Sequence, residues 1–381
     1  MSWVEWGLVA WSGAAGLWWL IALGLVAWRK DSPALPATIA EPPLTVFKPL
    51  PTGTTAAERV ALAGAVESFL AQLEPGDELR VGVSEPEFAQ WQPALTDWQR
   101  RYPAAALAIL CRPQPVQRAN PKIAWLEVLA PSARGDLWLW SDVDIVAPPG
   151  LLPALKRAAR NSAGGAVTCA YCVRHVDSAA GMLDAAFVNA EFLPGALLLG
   201  RAGSLAFAFG AATLFRADDF RDRVNWDRLG AALADDYALG EALAPVALAP
   251  QLVETLALET TLAGALRHYY RWQKTIRWCR PASYAALLAI LPLLGWAGLA
   301  VLAPTNPVAW LGLGLQWLLE TTAVLLLCRA VRCRMSPGGW VALLAWPPIR
   351  ALAWLAVWLP LPVTWRGAVR RWAKPRDAGI S

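Results

Sequence analysis

Leu137-Trp138-Leu139-Trp140-Ser141-Asp142-Val143-Asp144 is the stretch on which the reading of this chain turns. Four consecutive apolar residues, ended by polar ones, make a short strand buried on both faces. That strand carries two carboxylates, one residue apart, into a loop. Working outward, strand-like runs at Leu44–Phe47, Glu78–Val83, Ala106–Cys111 and Ala166–Val173 alternate with helical patterns at Thr55–Leu73, Phe88–Arg101, Ile123–Leu129 and Leu151–Arg160. This alternation predicts an α/β fold with a mostly parallel sheet covered on both faces. Such sheets place ligand sites at the carboxyl ends of their strands, where the acidic pair falls.

The flanks of this region are of a different character. Hydrophobic residues make up 56% of the 381 and charged residues only 17%. Soluble domains average about 45–50% and about 25%. Mean hydropathy is +0.37. A disordered chain, a coiled coil and an ordinary soluble enzyme are excluded. The 23 Trp, many in the most apolar stretches, suit a bilayer interface. The net charge of +5 gathers beside apolar runs, which indicates topology and lipid contact and no nucleic-acid partner.

Hydropathy divides the chain into residues 1–28, 29–280 and 281–381. Trp3–Trp28 is long enough to span and is followed directly by Arg29 and Lys30. Its positive charges come after the apolar run, so it reads as an uncleaved anchor with its N-terminus outside. Residues 29–280 form the globular, cytosolic part. Ala282–Ala303 and Val308–Cys328 read as two spans joined at Pro304-Thr-Asn-Pro307. Glu320 inside the second is expected to face a neighbouring helix or a cavity. Arg329, Arg332 and Arg334 mark the cytosolic side. Trp340–Trp365 is interrupted by Pro347-Pro348 and Arg350 and is followed by Arg366, Arg370, Arg371, Lys374 and Arg376. It is expected to be re-entrant or interfacial if that tail is also cytosolic. Phe187–Phe209 reads as an apolar helical element too short and interrupted to span: core, an interfacial helix or a lipid platform.

The six Cys form no disulfide framework, which fits a cytosolic catalytic part. Cys169-Ala-Tyr-Cys172 has the C-x-x-C spacing, but on one strand its members face opposite sides, so a core role is preferred. Three constellations carry chemistry. Asp142 and Asp144 offer the oxygen ligands that Mg²⁺ or Mn²⁺ favours against a diphosphate, or they form a solvated turn. Asp235-Asp236 is a candidate proton acceptor, since adjacent carboxylates raise one pKa, or a helix start. His268-Tyr-Tyr-Arg271-Trp272, ahead of the first C-terminal span, is a diphosphate clamp, a juxtamembrane belt, or both.

Taken with Phe47-Lys48-Pro49-Leu50, Asn120-Pro121-Lys122 and Phe209-Gly210-Ala-Ala-Thr-Leu-Phe215-Arg216, these motifs resemble glycosyltransferase family 2. They are closer still to its family 21 relatives, the ceramide glucosyltransferases and bacterial hopanoid-associated glycosyltransferases. The resemblance implies a GT-A fold between N-terminal and C-terminal transmembrane helices. It implies an inverting transfer of sugar from a UDP-sugar to a lipid hydroxyl on the cytosolic face of a bacterial inner membrane. By the same resemblance Asp142 and Asp144 match the metal and diphosphate motif. Asp236 matches the catalytic base, with Asp235 its supporting neighbour, and Lys122 joins the donor-binding residues. Arg271 and Trp272 match the end of the family's Q/R-x-x-R-W motif, with His268 standing in for Gln or Arg. Phe88 falls where an acidic nucleotide contact is expected, which leaves Glu85 as the nearest substitute. A non-catalytic membrane scaffold or lipid-binding protein keeping the same fold is the competing reading.

Overall fold

The computed structural model describes residues 1–29, 41–115, 118–162, 165–203, 205–336, 338–365 and 368–369. It separates into two compact units. Of the described residues, one unit holds those within 41–171 and 199–256; the other holds those within 1–29, 172–198 and 257–369.

The first unit is built on seven strands: β1 (Leu44–Pro49), β2 (Glu78–Ser84), β3 (Ala106–Arg112), β4 (Leu137–Trp140), β5 (Ala166–Thr168), β6 (Thr213–Arg216) and β7 (Val246–Leu248). Their order across the sheet is β7-β5-β6-β4-β1-β2-β3. All pairs are parallel except those of β6, which runs against both β4 and β5. The expected α/β layering holds, with one strand reversed.

β4 is buried along its whole length. Trp138 and Trp140 share one face, two residues apart, and meet the same aromatic cluster. Trp138 lies edge-on to Phe47 at 5.3 Å, and Trp140 edge-on to Phe215 at 5.3 Å. Trp140 also stacks on Trp226 at 5.7 Å. Each buried ring contributes about 1.5–3 kcal/mol by burial, and such pairs about 0.5–1.5 kcal/mol more. The strand end that carries Asp142 therefore rests on a stiff support. A small second ladder pairs Ile145–Val146 with Val253–Thr255.

Two local readings change. Ala166–Val173 is not one strand: β5 ends at Thr168 and a second short piece covers Tyr171–Cys172. The chain changes partners there. Cys169 N–H donates to Ala212 O, and the carbonyl of Ala170 instead accepts from Val253 N–H. The helix expected from Phe88 starts at Glu85, directly after Ser84, with Pro86 in its first turn.

The second unit is helical. Among the described residues, four helices are long and apolar enough to cross a membrane: Trp3–Ala27, Ala179–Arg201, Pro307–Ala330 and Gly339–Ala356. The span expected at Ala282–Ala303 is bent: it consists of a pair, Pro281–Ile290 and Pro292–Leu302, with 67° between them. Pro292 has no N–H to continue the ladder, and its ring excludes the preceding turn. The element expected at Phe187–Phe209 begins earlier and ends earlier, at Ala179 and Arg201, and contains a π-helical turn at Val188–Phe192. Pro347 and Pro348 do not interrupt Gly339–Ala356. The basic tail from Arg370 onward lies outside the described residues.

A buried ionic group lies inside this unit. Arg350, 3% exposed, faces Glu191 at 3.5 Å and Glu320 at 3.7 Å. It also donates to the carbonyl of Ile290 at 3.0 Å, at the bend. Tyr269 and Gln273 donate to Glu191 at 2.9 Å and 2.7 Å. Glu320 thus faces neighbouring helices, as the sequence suggested.

Candidate active site

At the carboxyl end of β4 the two acidic motifs meet. Asp142 follows the strand, and its N–H donates to Gly210 O at 3.2 Å. Gly210 N–H in turn donates to Asp236 Oδ2 at 2.8 Å. A Cβ added to Gly210 would lie 2.8 Å from Asp142 Oδ2 and 3.4 Å from Asp236 Oδ2. Gly210 therefore brings the two carboxylates onto one backbone position, where a Cβ would push them aside.

Lys122 sits among the acids. Its Nζ is 2.9 Å from Asp142 Oδ1 and 2.5 Å from Asp235 Oδ2. These charges raise the ammonium pKa, outweighing the effect of burial. Asn120 sets the geometry. Its side-chain oxygen caps the helix Pro121–Leu129 by accepting from Lys122 N–H, and its amide donates to Asp235 Oδ1 at 3.0 Å. Pro121 occupies the first helical turn, where the missing N–H costs nothing.

Asp236 has its pKa pushed up to about 6, first by burial and then by the neighbouring charge of Asp235. Its Oδ1 also accepts from Tyr237 N–H at 2.8 Å. Asp144 is raised too, by burial and by Asp142; Thr255 donates to its Oδ2 at 3.2 Å. The Asp235-Asp236 pair does open the helix Asp235–Ala242, the bland reading. However, Ala234 holds the cap position and no side chain caps the helix, so the two carboxylates are turned to the cluster.

Lys48, quoted above only within the Phe47–Leu50 motif and given no role there, also joins this group. It is wholly buried on β1, donates to Ser141 Oγ at 2.9 Å and Asp142 O at 2.7 Å, and lies over the Phe69 ring. Burial lowers its pKa to about 7. Its sequence signal was a lone Lys in an apolar strand. Gly210 stood only within the Phe209–Arg216 motif, with no role assigned, and Thr255 had no signal.

Among the described residues no group of three or more His, Cys, Asp or Glu is placed to hold a metal ion. Asp142 and Asp144 still fit Mg²⁺ or Mn²⁺. Both are hard oxygen donors at one strand end, and Mg²⁺ is ordinarily held by one or two carboxylates plus substrate phosphates and water.

The remaining candidates are carried by other elements. Glu85 is exposed in the first turn of its helix, with no hydrogen bond or ion pair to the cluster among the described residues. Glu87 is the residue engaged there, accepting from Gly53 N–H at 3.1 Å. His268, Arg271 and Trp272 lie on Leu262–Cys279, in the helical unit. Trp272 Nε1–H donates to His268 Nε2 at 2.8 Å, and His268 Nδ1 is 3.3 Å from Asp184. With Nε2 accepting, a neutral ring carries its proton on Nδ1, toward Asp184. Further along, Lys274 and Arg277 donate to the carbonyl of Val357 at 3.1 Å and 2.8 Å, beyond the end of Gly339–Ala356.

A mostly parallel sheet with one reversed strand, ending in paired carboxylates, is the GT-A arrangement of glycosyltransferases. The chain belongs to glycosyltransferase family 21, whose family model matches residues 11–375. Among solved structures it is similar to the mannosyltransferase PcManGT of Pyrobaculum calidifontis, determined with GDP-Man and Mn²⁺. That match has 16% identity over 93% of this chain and 96% of the other, with a TM-score of 0.51. This likeness concerns the fold. A mycobacterial protein (15% identity, 61% and 74% covered, TM-score 0.36) and S. aureus TarS 1-349 (10%, 81% and 91%, TM-score 0.36) superpose more loosely. No curated protein matches the chain.

Proposed function

We propose that this glycosyltransferase is membrane-bound and moves a sugar, with inversion, from a UDP-sugar to a hydroxyl of a ceramide-like or hopanoid lipid, at the cytosolic face of a bacterial inner membrane. One observation carries the reading. Asp236, a carboxylate of near-neutral pKa, is tied through Gly210 to Asp142, the acid of the donor motif. In the proposed step the acceptor hydroxyl oxygen bonds to the sugar's anomeric carbon as the bond from that carbon to the diphosphate breaks. Asp236 takes the hydroxyl proton, and Asp235 and Lys122 hold its charge environment. A divalent ion held by Asp142 and Asp144 would neutralise charge on the leaving diphosphate. Lys122, beside Asp142, would contact the same diphosphate, and Glu85 is kept as a weak donor contact. His268, Arg271 and Trp272 keep the role the resemblance implies.

Connectivity supports the proposed topology. Ala179–Arg201 joins β5 to β6, neighbours in one sheet, so it returns the chain to the side it left. Gly339–Ala356 begins just after Arg334–Met335, which pairs with His175–Val176, and ends where Lys274 and Arg277 bind the Val357 carbonyl. No candidate span separates those partner segments from the sheet strands they follow. Three crossings then remain: Trp3–Ala27, the bent pair and Pro307–Ala330. Cysteines placed at Gly338 and Leu361 should label from the same face of sealed vesicles; labelling from opposite faces would make Gly339–Ala356 a span.

The functional test is transfer of radiolabelled sugar into a bacterial lipid extract from a panel of nucleotide sugars, UDP-sugars first. Product that is lost in EDTA and returns with Mn²⁺ is expected. Absence of transfer from every donor, with the protein folded, would favour the scaffold reading.

A further inference from the structure

We propose that Lys122 is a resident counter-ion that closes the acidic cluster to a divalent cation until a nucleoside diphosphate arrives, so that cation and nucleotide bind as a pair. This rests on the reading of the cluster as the donor site.

The geometry points to it directly. Asp142, the first of the two proposed metal ligands, already gives Oδ1 to the Lys122 ammonium at 2.9 Å. Its Oδ2 lies against Gly210, where even a methyl group would be 2.8 Å away. A dication added alone must share Asp142 with a fixed positive charge, and the two repel. The ammonium cannot simply leave, because it also neutralises Asp235 at 2.5 Å. Asp235 has no second cation within ion-pair distance among the described residues, and Asp236 adjoins it. Displacing Lys122 would expose adjacent carboxylates to each other, an arrangement that favours protonation and opposes their joint ionisation.

A nucleoside diphosphate removes the conflict. It brings two or more negative charges to the cluster, so the dication and the ammonium each gain an anionic oxygen. The Lys side chain suits this exchange: its stem has four rotatable carbons, and its backbone is fixed by the Asn120 cap. The cluster is also accessible enough for an exchange, with Lys122 25% and Asp142 39% exposed. By linkage the effect is reciprocal: whatever nucleotide gains for the cation, the cation gains for nucleotide.

The test is a Mn²⁺ titration followed by electron paramagnetic resonance, on the full-length protein in nanodiscs. It is run with Mn²⁺ alone and with saturating UDP or GDP. Wild type should bind Mn²⁺ at least ~10-fold more tightly with nucleotide than without, within the usual range of coupling between sites. Lys122→Met, close in shape but uncharged, should bind Mn²⁺ alone about 10-fold more tightly than wild type, with the nucleotide gain reduced. Lys122→Arg keeps the charge and should behave as wild type with Mn²⁺ alone. Equal affinity of wild type and Lys122→Met for Mn²⁺ alone overturns the proposal, as does tightening in Lys122→Arg. Should Lys122→Met fail to fold by circular dichroism, Lys122→Gln is read in its place. Failure of both UDP and GDP to bind under any condition would sink the reading of the cluster as the UDP-sugar donor site instead, while the Mn²⁺-alone comparison still decides the role of Lys122.

Discussion

Lys122 in one unit and Arg350 in the other are each set among carboxylates, and the two settings differ in what they allow. Lys122 lies between Asp142 and Asp235 in the sheet unit, a quarter exposed, on a flexible stem. Arg350 lies between Glu191 and Glu320 in the helical unit, 3% exposed, and its guanidinium also meets the Ile290 carbonyl and the Trp19 ring at 5.1 Å. The first cation can exchange one anionic partner for another. The second is committed on several sides by rigid helices and a planar, multi-pronged head. Access to solvent and side-chain freedom separate the cluster proposed to do chemistry from one that holds helices together.

The contrast breaks most visibly at Asp236. Asp236→Asn is nearly isosteric and removes the proton acceptor. Transfer should fall by roughly 10²–10⁴-fold with nucleotide binding retained, and Asp235→Asn should cost less. In wild type the rate should drop as pH falls below about 6, where the Asp236 carboxylate takes up its proton. A pH profile that is flat between 5 and 7, or near-normal turnover in Asp236→Asn, would remove this residue from the mechanism.

In the helical unit the expected change is in stability. Arg350→Met leaves two carboxylates facing each other without their cation. Breaking a buried pair in this way costs about 3–5 kcal/mol. Thermal unfolding in detergent should show it, and adding Glu320→Gln should restore much of the loss. If Arg350→Met melts as wild type does, the group is not held by charge and the comparison fails.

Gly210→Ala sharpens the distinction at lower cost. Its new methyl would press on the far ends of Asp142 and Asp236, flexible side chains that can yield. The melting temperature should barely move. The displaced carboxylates should slow transfer by about 10²-fold, the usual cost of misplacing reacting groups by about an ångström. Equal losses of stability and activity would mark Gly210 as a packing residue only.

The amino-acid sequence by itself determined the alternating strands and helices, the acidic strand end at Asp142, the Asp235-Asp236 pair, and most of the apolar helices. These are local patterns, legible because burial on a strand or helix imposes a period within a short window. Hydropathy also placed Glu320 against other helices. It did not register the bend within Ala282–Ala303, because a window average does not see the hydrogen bond that Pro292 removes, and it misplaced Phe187–Phe209 by averaging across a helix end. Only the tertiary structure decided that Lys122 stands between Asp142 and Asp235, that Gly210 joins Asp142 to Asp236, and that Arg350 faces Glu191 across the helical unit. Those partners are distant in sequence, and no local period relates them. They meet because the sheet order sets β4 beside β6 and because buried charges must find partners wherever the packing leaves them.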